Sequence, residues 1–70
     1  MTSEEYTQPY FPLKSILDRK GLSQIELAQS IEMDRSTLNL KINRTEGRDF
    51  KLSEAILIAK KLNIRVDDFF

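Results

Sequence analysis

The side chains able to do chemistry in this sequence are mostly charged, and they are unevenly spread. Residues 35–51 hold five bases, Arg35, Lys41, Arg44, Arg48 and Lys51, against Glu46 and Asp49, a net charge of +3. Residues 1–34 hold Lys14, Arg19 and Lys20 against Glu4, Glu5, Asp18, Glu26, Glu32 and Asp34, a net charge of −3. A local basic strip can bind phosphate, with few contacts, modest affinity and a shallow dependence on salt. Over the whole chain 11 Lys+Arg meet 11 Asp+Glu. Nucleic-acid binders are usually basic overall, so the total argues weakly against that role while the strip keeps it open.

Other chemistry is excluded more firmly. The sequence has no His and no Cys, which removes disulfides, zinc sites and a His-based general base. Asp67 and Asp68 are adjacent carboxylates at a polar terminus, with nothing to activate them, and such a pair is ordinarily just solvated. The expectation is a protein that is not an enzyme, with no metal, no cofactor and no small-molecule ligand. No apolar run approaches the roughly 20 residues of a membrane span, and no basic-then-apolar signal segment opens the chain. A small cytoplasmic domain away from any membrane is expected. At 70 residues there is room for one domain, which must gather most of its apolar residues into one core.

The elements that position the charges are helical. Residues 1–11 lack a clear period and suit an N-terminal arm, with Tyr10 and Phe11 expected to dock on the body; residues 12–70 form the domain. Pro12 opens a helix over 12–20, whose Leu13, Ile16, Leu17 and Lys20 share a face and which Gly21 stops. Ser23-Gln24-Ile25-Glu26 is a capping box for a helix over 24–31, with Leu27, Ala28 and Ile31 buried. Asp34 caps a third helix over 35–43, on which Leu38 and Ile42 face the core together with Met33. Residues 44–51 read as a loop in which Phe50 plugs the core edge. A fourth helix over 52–62 presents Leu52, Ala55, Ile56, Ala59 and Leu62, stops at Asn63, and is followed by a short helical turn over 66–70. No strand is predicted. The fold class is all-α, a four- to five-helix bundle.

Helices 24–31 and 35–43 are joined by about three residues, and Ala28 is small enough for close approach. That is helix-turn-helix geometry. Ser23-Gln24-Ile25-Glu26-Leu27-Ala28-Gln29-Ser30-Ile31 resembles the "SQxELAxxL" helix of the Cro and lambda-repressor helix-turn-helix family. Met33-Asp34-Arg35-Ser36-Thr37-Leu38-Asn39-Leu40-Lys41-Ile42 resembles its recognition helix. Residues 53–64 resemble the helix that follows. The resemblance covers about residues 13–70, and the ending on Phe69 and Phe70 is most similar to small Cro-like lytic-switch (modulator of repression) proteins of temperate phages of Gram-positive bacteria. One position departs: the family usually has Gly in the inter-helix turn, where this chain has Glu32. A positive φ there costs a non-Gly residue roughly 1 kcal/mol or more.

The resemblance implies roles for particular residues. Gln24 would touch a phosphate and brace the recognition helix. Arg35 and Ser36 would read bases, with Leu40 one turn along on a thymine methyl. Arg takes guanine bidentately, which is worth about 1–3 kcal/mol of discrimination. Asn43 and Arg44 would meet phosphates, and Thr37, Asn39 and Lys41 would flank the surface. Without the resemblance the same residues have ordinary readings. Arg35 and Lys41 are then solvated side chains, Gln24 a helix former, Ser36 and Thr37 first-turn residues, and Asn43 a helix end.

Helical angles leave two apolar side chains pointing outward, Leu40 beside Ser36 and Asn43, and Leu57 among Ser53, Lys60 and Lys61. An exposed Leu alone means little. Taken with Val66, Phe69 and Phe70, Leu57 outlines an association surface. Two functions therefore stand side by side. One is a phage-type transcriptional regulator of the lysis/lysogeny switch in a bacterial host cell, bound to double-stranded operator DNA. The other is an antirepressor that binds the opposing phage repressor through Glu32, Asp34, Leu40, Leu57, Phe69 and Phe70 and blocks its DNA-binding face. A homodimer suits the first and a monomer the second.

Overall fold

The computed structural model describes residues 8–70. In chain order it contains α1 (Phe11–Lys20), α2 (Gln24–Ser30), α3 (Arg35–Asn43), a 3₁₀ turn (Thr45–Gly47), α4 (Leu52–Leu62) and a second 3₁₀ turn (Val66–Asp68). Among the described residues there is no strand, and no helix is long and apolar enough to cross a membrane. Residues 1–7 of the expected arm lie outside the described residues.

Each helix boundary has a local cause. Ser23 and Glu26 form the reciprocal box: the Glu26 N–H donates to Ser23 Oγ at 3.1 Å and the Ser23 N–H to Glu26 Oε1 at 2.9 Å. Hydrogen bonding of the Glu26 carboxyl to Ser23, first to its backbone N–H and then to its side chain, holds this exposed carboxyl below its ordinary pKa. Asp34 Oδ2 accepts from the Ser36 and Thr37 N–H groups at 3.0 and 3.3 Å, which starts α3. Gly21 (φ 69°) and Asn63 (φ 57°) end α1 and α4 in left-handed conformations. In both places the next residue's N–H reaches back to a carbonyl five residues earlier, Leu22 to Leu17 and Ile64 to Ala59, which satisfies helix-end carbonyls.

Leu13, Ile16 and Leu17 of α1, Leu27 and Ala28 of α2, Leu38 and Ile42 of α3, and Ala55, Ile58, Ala59 and Leu62 of α4 converge on one core. Tyr10, Ile31, Phe50 and Phe69 close it, and Met33 packs partly buried against it. Lys20 ends in solvent.

Three expectations are corrected here. On α4 the buried set includes Ile58, while Leu52 and Ile56 are 59% and 41% exposed. Both stripes have helical spacing and share Ala55, Ala59 and Leu62, but the core lies on the Ile58 side of the alanines. Phe11 starts α1 and is 55% exposed instead of docking. Phe69 is 6% exposed, because the second 3₁₀ turn folds it back edge-on to Tyr10, centroids 6.2 Å apart. It is therefore removed from any surface that a partner could touch, whereas Phe70 remains 48% exposed.

Candidate nucleic-acid interface

The turn between α2 and α3 sets their relative geometry. Glu32 adopts φ 56°. Its N–H donates to Gln29 O at 3.2 Å, and the Met33 N–H donates to Ala28 O at 2.9 Å. These two bonds close the end of α2 in the way a Gly-terminated helix would. Two residues later Asp34 caps α3. Ala28 is buried between the helices, and its small side chain lets α2 and α3 approach closely.

On the outer side Gln24, Arg35, Ser36, Asn39 and Leu40 line one open groove of about 390 Å³. Asn39 Nδ2 donates to Gln24 Oε1 at 3.1 Å, tying the first residue of α2 to the middle of α3. Leu40 is partly buried at the groove wall, and Arg35 and Ser36 are exposed at its rim. Thus five residues expected from the sequence meet at one surface.

Of the other four, Lys41, Asn43 and Arg44 have their side chains committed within the molecule. Lys41 Nζ is held by Glu54 of α4. Asn43 Nδ2 donates to Asn39 O at 3.0 Å, and Asn43 Oδ1 accepts from Lys14 Nζ at 2.7 Å. The Arg44 guanidinium lies over the Tyr10 ring, 5.1 Å from its centroid, and pairs with Asp49 Oδ2 at 3.2 Å. Its Nε is buried without a hydrogen-bond partner. Thr37 is partly buried and contributes its N–H to the Asp34 cap. Of the residues expected to meet a partner protein, Glu32 and Asp34 sit exposed on the turn, Leu57 is exposed on α4, and Phe70 is exposed at the end of the described chain.

Sequence reasoning missed two features near this surface. Lys14 reaches the C-terminal end of α3 from α1. Its place between Leu13 and Leu17, beside the buried stripe, was a usable signal. The other is the clasp around Tyr10. The phenol donates to Asp49 Oδ1, which also accepts the Phe50 N–H at 2.7 Å. The Tyr10 N–H donates to Ile42 O at 2.8 Å, near the end of α3. Burial first, then the Asp49 hydrogen bond and charge, push the Tyr10 phenol up to about 12, against the opposing effect of Arg44.

A short helix, a left-handed turn, a capped second helix and a polar groove on its outer face define a helix-turn-helix domain, the architecture that lays its second helix in the DNA major groove. The helix-turn-helix family model HTH_3 matches residues 13–69, and the chain belongs to that family. It is a DNA-binding transcription regulator whose partner is double-stranded DNA. No curated protein matches the chain, and no solved structure matches it.

Proposed function

We propose that the chain regulates a phage-type lysis/lysogeny switch by reading operator DNA in the cytoplasm of a bacterial host. In this reading Arg35 and Ser36 address base edges, Leu40 meets a thymine methyl, and Gln24 contacts the backbone. The observation that carries it is the groove in which Gln24, Arg35, Ser36, Asn39 and Leu40 come together on the exposed side of α3. Selection of bound sequences from a random duplex pool tests it. A defined motif should emerge, and Arg35→Ala should relax the preference at one position. A folded protein that enriches no motif at low salt refutes the reading.

A specific observation favours the antirepressor as a second reading. Within the basic strip Lys41 is neutralised by Glu54 and Arg44 by Asp49, so few cations remain for phosphate. Glu32 and Asp34 stand exposed on the turn just before the recognition helix. An acidic turn together with the apolar, partly buried Leu40 suits the basic face of an opposing repressor. Titrating this protein into a repressor–operator complex distinguishes the two: release of the operator without binding of this chain to DNA supports the antirepressor. A footprint unchanged at excess protein refutes it.

A further inference from the structure

We propose that the cleft between α1 and the second 3₁₀ turn docks an acidic segment of a partner protein, one that carries apolar side chains between its carboxylates. The cleft is open and holds about 520 Å³. Buried Ile16 and partly buried Ile64 make its apolar base. Arg19 and Lys20, both exposed in the last turn of α1, stand on one wall and Asp68 on the other. Among the described residues the ion pairs lie elsewhere, at Lys41–Glu54, Arg44–Asp49 and Arg65–Asp67. Arg19 and Lys20 therefore keep their charge for an incoming anion. Cations in a last turn also offset the helix dipole, a role that uses none of their N–H donors. Asp68 Oδ2 accepts the Arg65 N–H at 2.9 Å, which holds the carboxylate at the opposite wall. A nucleic-acid strand fits this arrangement poorly: its evenly spaced phosphates would have to pass Asp68, and they offer nothing to Ile16 and Ile64. A peptide meets both demands, with carboxylates toward α1 and apolar side chains on the base. The cleft also faces away from the recognition surface, since Lys14 and Asp18, on the other side of α1, line the groove shared with Gln24. DNA and the acidic segment are thus able to bind at the same time. The acidic turn at Glu32 and Asp34 calls for a basic partner, and this cleft calls for the opposite.

The test is titration of the full chain with a labelled synthetic peptide of mixed Glu and Leu, read by fluorescence anisotropy and by backbone amide chemical shifts. Shifts should cluster on the outer face of α1 and on Ile64 and Asp68, and leave the α3 groove unmoved. Replacing the Leu residues of the peptide by Ser, or its Glu residues by Gln, should weaken binding. The paired change Arg19→Gln with Lys20→Gln should weaken it about 3- to 10-fold, the range of two exposed ion pairs. Asp68→Asn keeps an oxygen for the Arg65 N–H and should tighten it about twofold. These side chains are all exposed, and circular dichroism checks that each variant folds. The peptide arms contain no DNA, so their outcome is separate from that of the DNA-binding reading. At physiological salt the same variants should hold the duplex recovered by selection within twofold of wild type. Absence of peptide binding at low salt, shifts centred on the α3 groove, or an all-Glu peptide that binds as tightly as the mixed one overturns the proposal. Competition by a duplex for the cleft assigns it to nucleic acid and overturns it as well. A tenfold gain in peptide affinity in the paired change Glu4→Gln with Glu5→Gln gives the cleft to the chain's own acidic residues in place of a partner.

Discussion

Lys41 Nζ lies 2.8 Å from both carboxylate oxygens of Glu54, bridging the recognition helix to α4. The same carboxylate accepts the Lys51 N–H at 2.8 Å and so caps the start of α4. Lys41 is thus a clamp between helices, although the resemblance had it flanking the DNA-reading surface. Both side chains are largely covered, at 16% and 22% exposure. The pair is therefore worth more than an exposed one and less than a fully buried one. Lys41→Met should lower stability by about 1–2 kcal/mol in a urea titration. At a temperature where the variant is folded, its affinity for DNA should fall less than threefold. A large loss of affinity with unchanged stability contradicts the clamp.

Glu54 also gives the domain an acid limb. Burial pushes its pKa up, but the Lys41 hydrogen bond, the Lys51 N–H and both lysine charges outweigh burial and leave it below the ordinary 4.5. A carboxylate lowered on folding contributes stability that is fully present above its unfolded value and is lost as pH falls through the folded value. The urea midpoint should be flat from neutrality down to about pH 5 and fall below that. Glu54→Gln should start lower and show a shallower acid decline.

The alkaline limb belongs to Tyr10. Its phenol is pushed up from 10.0 to about 12 by burial and by Asp49. A group raised on folding contributes stability that is complete below its unfolded pKa and drains away between the two values. Between about pH 10 and 12 the wild type should therefore lose on the order of 2 kcal/mol. Tyr10→Phe should lose less over that interval, while starting less stable at pH 7 because Asp49 loses a donor.

The parts of this fold legible in the sequence are those with local causes. Ser23, Asp34, Gly21 and Asn63 act on backbone within a few residues, so the four helices fall within one residue of their expected ends. The positive φ at Glu32 was implied by the resemblance, which puts a Gly in that turn. What was hidden depends on partners elsewhere in the chain. Leu52 and Ile56 fit a helical stripe as well as Ile58 does, and only the position of the core decides among them. Arg44 looks like a phosphate ligand until Asp49 and the Tyr10 ring claim it. Phe69 and Phe70 are identical in sequence, and only the final turn tells them apart. The groove residues were legible because all but Gln24 lie on one face of α3, whereas the Asn39–Gln24 bond spans 15 residues and two elements.

Glu32 offers the substitution that separates the two functional readings. Its φ of 56° is a conformation that Gly adopts freely and a Glu does not. Glu32→Gly relieves that strain and adds backbone freedom to the unfolded chain, so the net gain should be at most about 1 kcal/mol, seen as a raised urea midpoint. The change also removes an exposed negative charge close to the groove. If the chain acts by gripping operator DNA, affinity should rise severalfold at low salt, with the gain shrinking as salt screens the surface. If it acts by capturing a basic repressor face, the same change should weaken capture while leaving the domain more stable. Opposite signs in two binding assays on one stabilised variant cannot arise from folding, and the sign in each assay shows which partner the acidic turn serves.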